Sequence, residues 1–124
     1  MKCPEDIAKH FPEKWKCCGE PQFYIKEGWL KPILECHEKL KALSPKYEIH
    51  QVKEKFGGLR YYIDYNTGDE FTRKAMNEVI AEAEEKCATA CEVCGELGQP
   101  VIVNKRYITT VCDEHRPEGS VIYK

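Results

Sequence analysis

Three cysteines and a histidine in the last third of the chain have the spacing of a metal site. Two residues separate Cys91 from Cys94, and after 17 further residues Cys112 and His115 repeat that spacing. Each pair can bind one ion from a tight turn, and a second pair at this distance completes a tetrahedron. Thiolate and imidazole favour Zn²⁺ over Mg²⁺ or Ca²⁺. The motif predicts a structural zinc site, because four protein ligands leave no position open for a substrate.

Other arrangements of the cysteines stay open from the sequence alone. The motif cysteines can instead be disulfide-linked or simply buried, and Cys87 can replace His115 as the fourth ligand, although it falls on the apolar stripe of a helix. A second set of possible ligands comprises Cys17, Cys18, Cys36 and His37, with Cys3 and His10 in reserve. Adjacent residues bind one ion poorly, and Cys36 lies on an apolar helix face, where a thiol acts as a small hydrophobic group. We expect packing thiols here rather than a second metal site.

The segment from Val52 to Tyr62 concentrates groups that suit a phosphorylated ligand. Its sequence, VKEKFGGLRYY, contains two lysines, one arginine, a glycine pair and three aromatic rings. Cationic side chains and backbone amides suit phosphate, and aromatic faces suit a base. The residues expected to bind such a ligand are Lys53, Lys55, Phe56, Gly57, Gly58, Arg60 and Tyr62. The alternative interpretation is an ordinary hairpin with aromatic cross-strand pairs.

Alternation of apolar and polar residues predicts that this segment is an antiparallel hairpin. Extended runs at 47–53 and 59–65 flank Gly57-Gly58, which is expected to form the turn. One face of the second run is apolar and comprises Leu59, Tyr61, Ile63 and Tyr65; the other carries Arg60, Tyr62 and Asp64. With the lysines of the first run, the polar face would form an exposed cationic and aromatic patch.

Helices are expected on both sides of the hairpin. A short helix is expected within 5–16, and a longer one over 28–43, whose apolar stripe comprises Trp29, Ile33, Cys36, Leu40 and Leu43. A third is expected to reach about Ala90, with Thr67 and Glu70 as a capping box. Its stripe comprises Phe71, Ala75, Met76, Val79, Ile80, Ala83 and Cys87. Two short strands, 101–103 and 107–111, are expected between the metal-ligand pairs.

This order of elements predicts an α+β fold: helix, antiparallel β-hairpin, helix, then a small zinc-ribbon or treble-clef-like hairpin. We expect an α+β domain over 1–90, a zinc-binding subdomain packed on it over 91–116, and a C-terminal tail over 117–124. The chain of 124 residues, 42% hydrophobic and 32% charged, fits about one globular domain.

Composition and charge exclude several classes of protein. A net charge of −2 argues against an overall polycationic nucleic-acid binder. No run of about 18 apolar residues is present, so no membrane span is expected. Charged residues stand where a signal peptide needs an apolar stretch. We therefore expect a cytoplasmic protein, in a compartment that keeps thiols reduced.

The motif from Val52 to Tyr62, the helix after it and the two metal-ligand pairs together resemble a widespread family of short proteins encoded by tailed bacteriophages and prophages. The resemblance covers about residues 20–116 and includes Gly28-Trp29 upstream. Three N-terminal cysteines, Cys3, Cys17 and Cys18, have no match in the family pattern. The resemblance implies a phage accessory protein acting in the cytoplasm of the bacterial host, and it does not by itself imply a reaction.

A binding protein is expected rather than an enzyme, because no nucleophile–base pair, phosphate loop or open metal site is recognisable. Phage accessory proteins of this size include oligomeric sponges that sequester the nucleotide signals of bacterial immune systems. The hypothesis is therefore a non-enzymatic, zinc-containing phage protein, with a homo-oligomer as one possible assembly, that sequesters a phosphorylated nucleotide-type ligand to counter a host defence. The alternatives are a zinc-ribbon adaptor for a host or phage protein, such as a defence protein, and a binder of single-stranded nucleic acid.

Overall fold

The structure, a computed structural model, describes residues 3–12 and 23–123. Its helices are α1 (Glu5–Ala8), α2 (Leu30–Leu43) and α3 (Glu70–Ala88). Its strands are β1 (Phe23–Tyr24), β2 (Glu48–Lys55), β3 (Gly58–Asp64), β4 (Gln99–Val103), β5 (Tyr107–Val111) and β6 (Val121–Ile122). Helices combined with two small sheets confirm the predicted α+β class. No helix among the described residues is long and apolar enough to cross a bilayer.

The first sheet has the order β1-β2-β3, with β1 parallel and β3 antiparallel to β2. The predicted hairpin is present, but its turn lies one residue earlier than expected. Phe56 and Gly57 form the turn, with φ of 56° and 79°, and Gly58 begins β3 opposite Lys55. Positive φ at both central residues is typical of a type I′ turn, whose twist matches that of the flanking strands.

A bulge at His50 keeps the apolar residues of β2 on one face. Ile49 pairs with Ile63, whereas Gln51 pairs with Tyr62, so His50 is an extra residue on β2. Ile49 and Val52 are three residues apart, and both are fully buried. Strict alternation would turn one of them towards solvent, so the bulge reconciles the sequence pattern with a single buried face.

Helices α2 and α3 pack together, and the main core forms between them and the inward face of the first sheet. Most of the two predicted stripes is buried, including Trp29 and Ile33 on α2 and Met76 on α3. The stripes are wrong at two helix ends, because Leu43 is 38% exposed and Phe71 is 86% exposed. Both residues lie within one turn of a helix end, where the described part of the chain leaves them open to solvent.

Helix α3 begins later than the predicted capping box requires. Asp69 is the N-cap, and its side chain accepts a hydrogen bond from the Thr72 N–H. The hydroxyl of Thr67 instead accepts from the backbone N–H of Asp69. The capping box is wrong because a better acceptor, an aspartate, stands two residues further on.

A buried chain of polar side chains ties the N-terminal segment to the main core. The Tyr47 hydroxyl contacts Nδ1 of His37 and lies 3.1 Å from the Tyr61 hydroxyl. On its other side, Nε2 of His37 lies 3.1 Å from Oδ2 of Asp6. The ring of His10 stacks on Tyr47 at a centroid distance of 4.8 Å. His37, a member of the possible second metal set, is therefore engaged in this chain.

The other members of that set are placed differently. Cys36 is buried in the main core, and Cys3 is partly buried beside it. Cys17 and Cys18 lie outside the described residues, as do residues 13–16 of the expected short helix. Among residues that are described, this helix is limited to Glu5–Ala8.

The second sheet has the order β5-β4-β6 with all pairs antiparallel. It covers a small core of its own, which comprises Cys91, Val101, Val103 and Val111. The tight turn between β4 and β5 has positive φ at Asn104 (52°) and Lys105 (58°). Residues 117–124, expected as a tail, contain β6, which pairs with β4.

Backbone contacts at two glycines join the two sheets. The N–H of Gly28 donates to the Glu92 carbonyl at 2.8 Å, and a Cβ at position 28 would lie 2.1 Å from the Cys91 carbonyl oxygen. The Gly57 carbonyl accepts a hydrogen bond from the Thr110 hydroxyl at 2.7 Å. The two cores are therefore connected by a main-chain contact at Gly28 and by a threonine hydroxyl at Gly57, and both contacts are too close to leave free room for a Cβ.

We expect Gly28→Ala to lower the free energy of unfolding by at least about 2 kcal/mol, because its Cβ would overlap backbone atoms that have no room to move. Gly68→Ala is the matched control, since a Cβ there would meet nothing within 4 Å, and it should change stability by less than about 0.5 kcal/mol. Chemical denaturation of both variants measures the difference. Equal stability of the two would show that the joint at Gly28 is not tight.

The buried polar chain predicts a dependence of stability on pH. Burial, reinforced by the charge of His10, lowers the pKa of His37 to about 4, although Asp6 opposes this shift. An unfolded histidine titrates near about 6.5. Because the unfolded chain takes up this proton first, stability should fall as the pH drops from about 6.5 towards about 4.

In denaturation experiments at pH 7 and pH 5, His37→Gln should remove about 1–2 kcal/mol of the loss of stability that the wild type shows. Both proteins should carry the same metal content, so that protonation of the cysteine cluster contributes equally to the two pH dependences and is removed by subtraction. The same pH dependence in the variant and the wild type would contradict the assignment of this effect to His37.

Candidate metal centre and outward face of the first sheet

The four predicted metal ligands come together from two turns. One ligand atom from each of Cys91, Cys94, Cys112 and His115 lies within 4.8 Å of the others. The sulfurs of Cys94 and Cys112 are 3.7 Å apart, and Nδ1 of His115 lies 3.2 Å from the Cys112 sulfur. These four residues can hold a metal ion, and no second group of three or more potential ligands is found within 3–12 and 23–123.

Local hydrogen bonds build both turns. The Gly95 N–H donates to the Cys91 carbonyl at 2.8 Å and closes the first turn. Gly95 has a φ of +84°, and a Cβ there would lie 2.9 Å from the Gly28 carbonyl oxygen, so this position requires glycine. In the second turn, the His115 N–H donates to the Cys112 carbonyl at 3.2 Å. Each pair of ligands is thus positioned by its own short segment.

The surroundings of the cluster favour a thiolate at Cys91. Burial alone would raise the pKa of this thiol, but the backbone N–H groups of Cys112, Cys94 and Val93 donate to its sulfur and lower the pKa to about 6. At Cys94, the Glu96 N–H acts in the same direction, but desolvation and hydrogen bonds with the neighbouring thiols raise the pKa to about 11. Since the thiolate is the form that binds metal, Cys91 is the ligand best prepared for it.

Two other cysteines are excluded from this centre by their position. Cys87, the alternative fourth ligand, is fully buried in the main core, and burial raises its pKa to about 12. Cys36 lies in the same core, where burial also raises its pKa to about 12. Both act as small apolar groups and remain thiols.

The outward face of the first sheet carries most of the residues predicted to bind a ligand. Lys53 pairs with Arg60, so these side chains project from the same face, while the neighbouring pair of Val52 and Tyr61 is buried on the other. Nζ of Lys53 lies 5.9 Å from the centroid of the Tyr62 ring. The sheet therefore brings its cationic and aromatic side chains together on one exposed surface.

Strand β1 adds a residue that sequence reasoning missed. Tyr24 pairs with Lys53 and is 61% exposed, whereas its neighbour Phe23 pairs with Val52 and is buried. Tyr24, Lys53 and Arg60 thus form a row across the three strands. Two residues carry too little periodicity to reveal a strand, so only the parallel pairing identifies this aromatic side chain.

The remaining predicted ligand-binding residues lie at the hairpin tip and differ in their exposure to solvent. Phe56 is 69% exposed, and Nζ of Lys55 lies 5.6 Å from its ring centroid. Gly57 is buried instead, because a Cβ there would lie 3.1 Å from side-chain atoms of Ile108 and Thr110. Gly58 is partly buried at the start of β3. Gly57 is therefore buried in the joint between the sheets.

Phe56 also lines a cavity of about 210 Å³ beside the turn between β4 and β5. The residues around this tip cavity are Phe56, Ile102, Lys105, Arg106, Tyr107 and Ile108. It combines two cationic side chains with two exposed aromatic rings. The sequence contains these residues in two distant segments, so their meeting depends on how the two hairpins dock.

A larger cavity, of about 590 Å³, lies between the start of α2 and the first metal-binding turn. Its lining carries both signs of charge, from Glu27, Lys31, Glu35, Lys86 and Glu96. Lys86 is already paired with Glu35 at 3.2 Å. This mixed lining gives no preference for a charged ligand of either sign.

Searches against protein-family models, curated proteins and solved structures find no match to this chain. The choice of function therefore depends on the geometry of the cysteine cluster and of the outward face.

We expect the wild-type protein to bind one metal ion per chain, and Cys112→Ser to bind less than about a tenth of this amount, because loss of one thiolate opens a site that binds through four ligands. Elemental analysis after gel filtration measures both values and identifies the ion. Cys3→Ser is the control, since Cys3 lies outside the cluster, and it should retain the metal. Full metal occupancy in Cys112→Ser would remove this residue from the ligand set.

Proposed function

We propose that the cysteine and histidine cluster is a structural zinc site. Three sulfur donors and one imidazole form a set that zinc prefers. Bonds of about 2.3 Å from zinc to sulfur, directed to the corners of a tetrahedron, would place two sulfurs about 3.8 Å apart. The sulfurs of Cys94 and Cys112 are separated by 3.7 Å. Bound zinc would hold the two ligand-bearing turns together, with no coordination position left for a substrate.

We further propose that the protein is a non-enzymatic module that binds a phosphorylated nucleotide-type ligand on the outward face of the first sheet. The observation that carries this proposal is the pairing of Lys53 with Arg60, with Tyr24 and Tyr62 exposed beside them. Two adjacent cations suit a phosphate group, and exposed aromatic rings suit stacking with a base.

The distribution of charge along the hairpin supports this assignment. Three cations, Lys53, Lys55 and Arg60, lie towards the tip on the outward face. The one carboxylate at this end of the hairpin, that of Glu54, accepts a hydrogen bond from the Gly57 N–H. Glu48 pairs with Asp64 at the opposite end of the two strands. An anionic group would therefore be attracted to the half of the face nearest the tip.

The resemblance to phage proteins supports a biological setting for this binding. We propose that the protein acts in the bacterial cytoplasm, where it sequesters a nucleotide signal and so counters a defence system of the host. The outward face is open on one chain, so association of two or more copies would supply the walls that enclose a small ligand. The openness of the face also favours a second candidate ligand, single-stranded nucleic acid, since stacking on exposed rings needs no enclosure.

Titration calorimetry with mononucleotides of the four bases tests the proposed site. Arg60→Ala should weaken binding at least about tenfold, because it removes a charged partner of the phosphate. Its thermal unfolding midpoint should stay close to that of the wild type, since Arg60 points away from the core. The matched control is Lys74→Ala, which removes an exposed cation from α3.

The same samples test whether the protein is an enzyme. Nucleotide recovered after heat denaturation should be chemically unchanged, as mass spectrometry can verify. No binding by the wild-type protein, or equal affinity in Arg60→Ala, would remove the outward face as the site. A modified nucleotide would replace the binding proposal with a catalytic one.

A further inference from the structure

We infer that the tip cavity is a second nucleotide subsite, so that the ligand carries two bases joined through phosphate. This inference rests on the proposed nucleotide site on the outward face and extends it around the hairpin tip.

The chemistry of the tip cavity repeats that of the outward face. Lys105 and Arg106 supply cations, and the exposed rings of Phe56 and Tyr107 supply stacking surfaces. None of the six residues that line the cavity is acidic. The Glu54 carboxylate, also at the hairpin tip, does not line the cavity and is engaged by the Gly57 N–H at 2.7 Å. Cations beside aromatic faces suit a second base with its phosphate.

The two turns beside the cavity carry bulky side chains at positions where the backbone does not favour them. Phe56 and Lys105 have φ of 56° and 58°, in the left-handed region that bulky side chains rarely adopt. Each is the kind of turn position where glycine or asparagine is favoured. Both side chains line the same cavity, although they come from different hairpins. Strain of this kind is concentrated at binding and catalytic sites, where the side chain has a use outside the fold.

The size of the cavity indicates that it holds one part of a larger ligand. Its volume of about 210 Å³ is below the roughly 300 Å³ at which pockets begin to enclose whole small ligands. A single base or phosphate suits this space better than a complete nucleotide. The rest of the ligand must therefore lie outside it.

Lysine side chains connect the tip cavity to the outward face. Lys53 and Lys55 project from the same face of β2 about 7 Å apart, as alternate residues of a strand do. Nζ of Lys55 lies 5.6 Å from the ring centroid of Phe56, which lines the cavity. One base against Tyr62, the linking phosphate along these lysines, and a second base against Phe56 would use both sites together.

Two adjacent nucleotides of this kind have two possible sources. They can be a free dinucleotide, linear or cyclic, or consecutive residues of a longer single strand. The chemistry that the two subsites recognise is the same for both sources, so the experiment needs an arm for each.

The test compares affinities for thymidine monophosphate, for linear and cyclic thymidine dinucleotides, and for an eight-residue thymidine strand. The wild type should bind one of the dinucleotides at least about tenfold more tightly than the monophosphate, because a second base is stacked. Arg106→Ala should reduce this ratio to less than about threefold, whereas Lys74→Ala should leave it unchanged. An eight-residue strand can place its nucleotide pairs on the site in several registers, which raises its affinity over the linear dinucleotide by a statistical factor. A larger increase in affinity identifies a longer strand as the source, and a smaller one identifies the free dinucleotide.

Phe56→Asn separates loss of binding from loss of folding. Asparagine tolerates the left-handed backbone, and Phe56 is exposed, so the thermal midpoint should be no lower than that of the wild type. The ratio of dinucleotide to monophosphate affinity should nevertheless fall as in Arg106→Ala.

The outcomes distinguish this inference from the proposal on which it rests. Monophosphate binding that Arg60→Ala weakens, with no gain for either dinucleotide, overturns the second subsite and keeps the first. A gain that survives both Arg106→Ala and Phe56→Asn also overturns it, because the second base would lie elsewhere. Absence of binding to every nucleotide overturns both proposals.

Discussion

The arrangement of both sheets depends on the buried carboxylate and main chain of Glu92, which follows the first metal ligand. Its N–H donates to the Thr110 carbonyl at 2.9 Å, and its own carbonyl accepts from Gly28 at 2.8 Å. Its carboxylate accepts hydrogen bonds from the Thr110 N–H at 2.8 Å and from the Thr109 hydroxyl. Burial raises the pKa of Glu92 despite these donors. A buried carboxylate without these donors would cost several kcal/mol, so the turn at Cys91 and strand β5 must keep this arrangement.

The position of the hairpin tip follows from that joint. The backbone N–H and carbonyl of Thr110 are both hydrogen-bonded to Glu92. The Thr110 hydroxyl also donates a hydrogen bond to the Gly57 carbonyl. The two sides of the tip cavity are therefore held at a distance that the metal-binding turn determines. Through Glu92, the turn that carries Cys91 and Cys94 fixes where the second hairpin lies, and with it the shape of the proposed binding surface.

Features that depend on neighbouring residues could be predicted from the sequence. Each pair of metal ligands lies on its own turn, so the spacing alone was sufficient to identify the cluster. The long helices and the shared outward face of Lys53 and Arg60 follow from periodicity within single segments. The burial of Gly57, the row that begins at Tyr24 and the tip cavity depend on contacts between distant segments, and no local pattern encodes them. The shift of the turn by one residue could not be predicted either, because turn preferences place glycine or asparagine, and not phenylalanine, at a position with positive φ.

The exposed side chains of the first sheet and of the turn between β4 and β5 can change over evolutionary time without affecting the cores. These side chains project away from both cores, while the inward residues of the same strands pack in those cores. Substitutions at Tyr24, Tyr62 or Tyr107 therefore leave the packing of the protein intact. A scaffold built in this way can change the chemistry of its exposed surface in few steps, without first repairing its stability.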